Sequence, residues 1–332
     1  MLTRKLGNSG IDASVVALGT WALGGWMWGG TEKNKPLDAV HAAIDHGITL
    51  IDTAPIYGYG HSEELVGKAI SDRRDKVVLA TKCGMRWDKE EGEFFFKSDE
   101  TGSGKGDKQY KIYKNLKPES IRLEIERSLK RLNVETIDLY QTHWQDKTTP
   151  IEDTMAELEK IRDEGKIRAI GVSNATVAQM QKYGQIDSDQ EKFSMLDRPM
   201  QKKGQLEFCR KNNIAVLAYS PLELGLLTGK VDADREFPDS DLRSKNPKFS
   251  IENRKKVLDM LDEFKPIAEE HNATIPQLVI AWTFSQPGCS HVLVGGRTPE
   301  QAAQNAEAGD IALTEDQLQT MTDTLNQYYP DA

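Results

Sequence analysis

The 332-residue chain carries 52 Asp and Glu against 43 Lys and Arg, a formal charge of −9, which argues against nonspecific nucleic-acid binding. No apolar run reaches the length of a membrane span and no signal-peptide pattern stands at residues 1–5, so no membrane association and a cytoplasmic location are expected. Three cysteines, Cys83, Cys209 and Cys289, are odd in number and far apart, which fits a reducing compartment and offers neither a disulfide framework nor a zinc set.

In chain order, residues 11–19 form an apolar segment read as the first strand, and Trp21, Trp26 and Trp28 follow among glycines in a loop. Asn34 and Pro36 mark a helix start, with Leu37, Val40 and Ile44 at helical spacing until Gly47 stops them. Residues 48–51 read as the second strand. Ser62 is placed to cap the next helix, which carries Leu65, Val66 and Ile70 on one face, and residues 77–81 read as the third strand. The polar stretch 84–117, glycine-rich at 102–106, breaks the rhythm and is expected to be a long loop, a candidate lid or specificity element. Pro118 opens a helix with Ile121, Ile125, Leu129 and Leu132 on one side, and residues 136–141 read as the fourth strand. Thr149, Pro150 and Glu152 suggest a capping box before Met155, Leu158 and Ile161. There follow a fifth strand at 167–172, a short helix at 175–183, a weak sixth strand at 186–190, a seventh at 214–218 and a second excursion at 221–250. Helical patterns at 251–271 and 275–286, an eighth strand at 291–294, a second capping box at Thr298–Gln301 and a helix at about 314–326 complete the chain.

Eight strand-then-helix units predict an α/β fold, a (β/α)8 TIM barrel with long loops at its C-terminal face, as a single domain over 1–332. Lys82 lies 30 residues after Asp52 and Ser173 lies 30 after His143, but Lys82 to His143 takes 61, so about 30 residues, one βα unit's length, are inserted there.

The barrel's chemistry belongs at the C-terminal ends of its strands. Asp52 ends one apolar run, with Tyr57 five residues on; Lys82 ends the next and His143 the one after. A tyrosine, ordinarily titrating near ~10, becomes a usable proton donor or acceptor when a cation lowers that value. Lys82 is the candidate cation, Asp52 its anchor, and His143 a candidate to orient a carbonyl oxygen. Singly, each is as easily a loop or strand-end residue; the four together suit carbonyl reduction or alcohol oxidation.

These residues and their surroundings resemble the aldo-keto reductases. The likeness covers Leu18 to Asn305 and rests on Gly47-Ile48-Thr49-Leu50-Ile51-Asp52-Thr53-Ala54-Pro55-Ile56-Tyr57-Gly58, on Ser62-Glu63-Glu64-Leu65-Val66-Gly67, on Gly165 to Asn174 and on Leu217-Ala218-Tyr219-Ser220-Pro221-Leu222. It is closest in look to bacterial general-stress and inositol-operon reductases, with potassium-channel β subunits more distant. The resemblance implies a catalytic tetrad of Asp52, Tyr57, Lys82 and His143 and NADPH as cofactor. It also implies a carboxamide site of Ser173, Asn174 and Gln190, with Tyr219 stacked on the nicotinamide and Thr20, Trp21 and Asp52 near it. Ser220, Pro221, Leu222, Glu223, Leu224, Lys230 and Arg243 fall where relatives line the pyrophosphate. Gly295, Gly296, Arg297, Gln301, Gln304 and Asn305 fall where relatives hold the adenosine end. Independently, the two glycines permit close backbone approach, the helix begun at Thr298 directs its amides at an anion, and Arg297 suits a 2′-phosphate. Ala175, Phe193-Ser194 and Leu224 depart from the family pattern.

Trp21, Trp28, Tyr57, Trp87, His143 and Trp144 form a candidate substrate pocket whose aromatic faces suit sugar rings or apolar carbonyl compounds. The six histidines show no metal spacing, and neither Gly58-Tyr59-Gly60 nor residues 102–106 complete a nucleotide fingerprint. No metal is therefore expected, and a metal-dependent barrel hydrolase is the weaker rival. The other rival is a cofactor-binding regulatory subunit with little turnover. The small-molecule substrate, the direction in vivo and any oligomer are left open.

Overall fold

The computed structural model describes residues 1–28, 35–102, 106–238 and 241–330. The chain opens with β1 (Thr3–Lys5), β2 (Asp12–Ser14) and β3 (Val16–Gly19), then α1 (Pro36–Asp45), β4 (Leu50–Asp52), α2 (His61–Ile70) and β5 (Val78–Cys83). An inserted group, β6 (Met85–Arg86), β7 (Glu93–Asp99) and β8 (Gln109–Lys114), leads to α3 (Pro118–Leu132), β9 (Ile137–Thr142), α4 (Ile151–Asp163), β10 (Ile167–Ser173) and α5 (Val177–Tyr183). Then come β11 (Ser188–Lys192), α6 (Pro199–Lys202), α7 (Gln205–Lys211) and β12 (Ala215–Tyr219). The last elements are α8 (Ile251–Asp262), α9 (Lys265–Glu270), α10 (Ile275–Ser285), β13 (Cys289–Gly295), α11 (Pro299–Glu307) and α12 (Glu315–Tyr328).

Eight parallel strands close in the order β3-β4-β5-β9-β10-β11-β12-β13, with β13 back against β3 through Val292 beside Val16 and Gly295 beside Gly19. This is the expected (β/α)8 barrel. Its strands are covered on both faces, which is why they read as near-continuous apolar runs. Alternation still separates the faces. Leu50, Val78, Ala80, Leu139, Ala169, Ala215, Leu217 and Leu293 fill the inside, whereas Ile51, Leu79, Tyr140, Ile170 and Val216 pack outward against the helices. Toward the C-terminal ends the inward positions turn polar, and this change of character builds the site.

The structure corrects several expectations. Residues 11–19 are two strands interrupted at Val15, because β2 pairs with β1 in a hairpin at the barrel's N-terminal end. Leu6, Ile11 and Ala13 of that hairpin region join the inner core, and Arg4 donates to Phe284 O and Cys289 O, both at 2.7 Å. The stretch 84–117 is no plain loop. It contains a three-stranded antiparallel sheet, β6-β8-β7, with Ile112 fully buried beneath it. Ser62 lies inside α2 rather than capping it; Gly60, at φ 101°, takes the N-cap, and the Ser62 hydroxyl bonds to Thr20 and Thr53. Thr149 gives its hydroxyl to Asp146 at 2.7 Å, so no capping box forms before α4. Thr298 does accept from Gln301 N, but the Gln301 side chain accepts from Arg297 N instead of returning to the cap. Helices α6 and α7 were not anticipated, and residues 251–271 divide into α8 and α9 with Pro266 at the start of the second. The expected helix start at Asn34 lies outside the described residues; α1 is described from Pro36. Among the described residues no helix is long and apolar enough to cross a membrane.

Candidate active site

The inward positions Asp52 of β4, Lys82 of β5 and Gln141 of β9 stand on three adjacent strands, with His143 just past the end of β9. Lys82 is fully buried, and its three ammonium protons have three acceptors: Asp52 Oδ2 at 2.6 Å, Thr53 O at 2.9 Å and Tyr57 Oη at 3.3 Å. Such an arrangement makes burial of the charge tolerable, since an unpaired ammonium there would carry a large desolvation penalty. The Asp52 oxygen that Lys82 leaves free, Oδ1, accepts from Gln190 Nε2 at 2.8 Å and Gln141 Nε2 at 3.3 Å. The Tyr57 ring meets the His143 ring edge-on at 5.7 Å and lies beside Trp21 at 6.3 Å. All four tetrad candidates therefore converge.

The electrostatics reverse one expectation. Burial pushes the Tyr57 phenol well above its usual value, and the negative charge of Asp52 pushes it further. Burial lowers Lys82, with Asp52 and Glu63 opposing. Burial, then the Lys82 charge, holds His143 well below its usual value, so its imidazole is neutral at pH 7. The net direction for Tyr57 is upward, set by desolvation and then Asp52, with Lys82 in contact at 3.3 Å. The arrangement presents a protonated phenol beside a neutral imidazole, a pair of hydrogen-bond partners for one oxygen atom.

Next to it, Ser173 Oγ donates to Gln190 O at 2.8 Å, and Asn174 Nδ2 donates to His143 O and to Ser173 Oγ, each at 3.0 Å. Asn174 adopts a left-handed φ of 55°, and its Oδ1 accepts from Tyr219 Oη at 2.9 Å. Ser173, Asn174, Gln190 and Tyr219 are thus linked to one another and to the tetrad by hydrogen bonds. Past β12, Ser220, Glu223 and Leu224 all have positive φ, 58°, 45° and 56°, on either side of Pro221 and Leu222. The Glu223 side chain does not line that segment outwardly. It is buried, accepts from Ser194 Oγ at 2.7 Å and pairs with Lys248 at 3.2 Å, so Phe193-Ser194 is its anchor. Thr20 is likewise turned inward: its buried hydroxyl is tied to Asp52 O at 3.0 Å and to Ser62.

Trp28 gathers the positive groups. The guanidinium carbons of Arg243 and Arg297 lie 5.9 and 6.0 Å from its ring centre. Arg243 is held in a fork by Asp241 at 2.9 and 2.6 Å, leaving Nη1 3.5 Å from Leu224 O. Burial and repulsion from Arg243 lower Arg297, as expected where positive charge is concentrated and an anion would relieve it. Gln301 accepts from Arg297 N, Asn305 donates to Gly295 O at 3.1 Å, and a Cβ on Gly296 would stand 3.3 Å from the Ala302 backbone. Gln304 is exposed on α11, and Lys230 is exposed with no side-chain bond described.

The aromatic residues share one cluster. Trp21 meets Trp28 edge-on at 5.5 Å, and Trp144 packs on Phe95 at 5.2 Å. Trp87 instead contacts Tyr59 at 5.5 Å and lines an open groove with Lys97, Tyr110 and Lys111 on the inserted sheet, away from a direct ring contact with Tyr57. Sequence reasoning missed Gln141 and Phe95. Gln141 stands two residues before His143, so period-two alternation could have found it. Among the described residues no group of His, Cys, Asp and Glu is arranged to hold a metal ion.

Comparisons with known proteins bear on this geometry. The Aldo/keto reductase family profile matches residues 15–326. The chain is 42% identical over 319 residues to the NADH-specific methylglyoxal reductase of Escherichia coli (strain K12), covering 93% of this chain and 94% of that one. It is 38% identical over 320 residues to aldo-keto reductase YhdN of Bacillus subtilis (strain 168), covering 94% and 90%. Among solved structures, the glycerol dehydrogenase AKR11B4 from Gluconobacter oxydans superposes with a TM-score of 0.87 at 39% identity, covering 99% of this chain and 96% of that one.

Proposed function

The chain belongs to the aldo/keto reductase family, and from that premise we propose that it reduces an aldehyde or ketone to the alcohol, with NADPH as hydride source and Tyr57 as proton donor. The observation that carries the proposal is the chain of contacts from Asp52 through Lys82 to Tyr57, closed by His143. A nicotinamide dinucleotide fits the residues present: amide partners at Ser173, Asn174 and Gln190, an aromatic face at Tyr219, and crowded positive charge at Arg243 and Arg297. When bound, it supplies the hydride.

The protein's part is the proton and the geometry. Tyr57 and the neutral His143 bind the carbonyl oxygen, which polarises the carbon. As that oxygen becomes an alkoxide, a far stronger base than a phenolate, the Tyr57 proton moves to it. A phenol held protonated by burial suits this direction, because it keeps its proton until the alkoxide forms. Lys82 then stabilises the phenolate left behind, and Asp52 keeps Lys82 in place. Trp21, Trp28, Trp144 and Phe95 give the substrate side its aromatic wall and exclude water.

For substrate we propose small carbonyl compounds bearing a neighbouring oxygen, which is the feature shared by the methylglyoxal and glycerol in the names of two relatives. For cofactor, Arg297 beside Arg243 favours a 2′-phosphate. The relative named NADH-specific makes NADH the second choice to be tested. We also take residues 1–332 as one domain acting in the cytoplasm.

The experiment is oxidation of NADPH and of NADH, followed at 340 nm, over a panel of small aldehydes, dicarbonyls and hydroxyketones, wild type beside Tyr57→Phe. Turnover in the wild type and its loss by ~10²-fold or more in the variant, with dinucleotide affinity kept, is expected. A Tyr57→Phe protein as active as wild type would refute the proton assignment, and equal use of both dinucleotides would refute the preference.

A further inference from the structure

We infer that Gln141 is a positioning residue for the proton step, holding the free oxygen of Asp52 so that the carboxylate stays turned to Lys82 while Gln190 serves the cofactor side. This rests on the reductase reading above and goes beyond the four tetrad residues.

Gln141 is fully buried on the inner face of β9. A buried amide is costly unless its groups are hydrogen-bonded, and a leucine would fill similar space with no such demand. Here both ends of the amide have partners: Nε2 donates to Asp52 Oδ1 at 3.3 Å and Oε1 accepts from Gln190 Nε2 at 3.3 Å. Gln190 also donates to the same Asp52 oxygen at 2.8 Å. Asp52, Gln141 and Gln190 thus form a closed triangle, with Lys82 on the opposite carboxylate oxygen.

The neighbouring strand is cut to admit it. Gly171 of β10 is the register partner of Gln141 on one side and of Ser188 on the other. A Cβ on Gly171 would come within 2.8 Å of Gln141 Cγ and would collide with Ser188 Oγ. The missing side chain lets Gln141 reach over β10 to Gln190 on β11, while its other end meets Asp52 of β4 across β5. Gln190 has two duties, since it also lies among the residues proposed for the carboxamide. Gln141 has one: among the bonds described it meets the cofactor side through Gln190 alone, and its donor goes to Asp52. When Gln190 is drawn to the cofactor, Gln141 remains as the donor on Asp52 Oδ1. The negative charge of Asp52 acts on Tyr57, so a carboxylate stripped of a donor disfavours the phenolate more strongly.

The test compares wild type, Gln141→Met, which keeps length without hydrogen bonds, and Gln141→Glu, which keeps shape but sets a second carboxyl beside Asp52. Gly171→Ala, which displaces Gln141 without removing it, is the independent variant should Gln141→Met fail to fold. Readouts are kcat and KM for carbonyl reduction, the pH profile of alcohol oxidation, and NADPH affinity by tryptophan fluorescence in the absence of substrate. Expected for Gln141→Met is a kcat lower by ~10-fold or more, the loss of one hydrogen bond to a charged group, with KM and NADPH affinity within about twofold. The pH at which oxidation reaches half its maximum should move upward, further in Gln141→Glu, and upward in Gly171→Ala. Unchanged pH profiles with lower kcat, or a loss confined to NADPH affinity, would overturn the inference while leaving the reductase reading intact. A wild type that binds NADPH but reduces nothing would overturn both.

Discussion

Glu124 on α3 predicts how the stability of this protein depends on pH. It is 4% exposed, and both its oxygens lie 3.1 Å from Gly84 N, two residues beyond Lys82; Ser120 Oγ stands 3.3 Å from Oε1. Burial outweighs the attraction of Arg86 and these hydrogen bonds, so its carboxyl is pushed up to about 7 from 4.5, with Asp88 adding a little. Arg86 cannot do more because Asp88 engages it at 2.8 and 3.0 Å. The adjacent Cys83 and Tyr140 are both raised by burial and stay neutral through this range. A carboxyl raised in the folded state keeps a proton that the unfolded chain releases. Its contribution is present below the unfolded value and is lost as pH rises through the folded one. At 1.36 kcal/mol per unit, a gap of about 2.5 units is worth ~3 kcal/mol. Glu124→Gln preserves an acceptor for Gly84 N and removes the titration. Relative to wild type, the variant should therefore gain ~3 kcal/mol between pH 4 and pH 8. Urea unfolding at pH steps, with the slope m checked for constancy, measures this. Two curves that stay parallel across the range would refute the reasoning and mean that Glu124 is ionised in the folded protein from low pH.

Two further predictions concern packing. Gly67→Ala places a Cβ 2.5 Å from Leu132 O and 2.7 Å from its carbonyl carbon, where α2 crosses the end of α3; overpacking of ~1–3 kcal/mol should outweigh the ~1 kcal/mol helical gain of alanine, and thermal melting would show a lower midpoint. Phe95→Ala removes the ring against Trp144 and beneath the Lys114 ammonium, 5.1 Å from its centre. Losing one apolar pocket wall should lower kcat/KM by ~10-fold or more for aromatic carbonyl substrates and far less for two- or three-carbon ones; equal losses for both would contradict its place in the substrate wall.

Asp52, Lys82 and His143 were legible because each ends an apolar run, and a polar group at that place in a parallel strand must face a site. Gln141 was hidden inside such a run, where a single amide between Tyr140 and Thr142 looks like an interruption rather than an inward rung. The inserted sheet was illegible for another reason. A strand with one face in solvent should alternate, but Phe94, Phe95 and Phe96 are consecutive aromatics, and the register slips between Phe94 and Phe96. Phe94 is 49% exposed while Ile112, across the sheet, is fully buried. The bulge turns successive side chains the same way and erases the period-two signal. Capping was misjudged where a competing acceptor stood on the N-terminal side, as Asp146, three residues before it, does for Thr149. The sign of the effect on Tyr57 was misjudged because spacing names neighbours but not the depth at which they lie.

The pairing of β13 with β3 joins strands from opposite ends of the sequence. Until β13 emerges and docks, β3 and β12 are edges with unpaired backbone groups, open to association with other chains. Parallel pairing over so long a separation makes the closing step slow, and the hairpin that plugs the barrel's N-terminal end can reach Cys289 O only then. During synthesis, the β4-β5-β9 segment that brings Asp52, Lys82 and His143 together can assemble before the ring is sealed. The moment of greatest aggregation hazard therefore falls after the tetrad's strands are in place and ends with the seating of Val292 beside Val16.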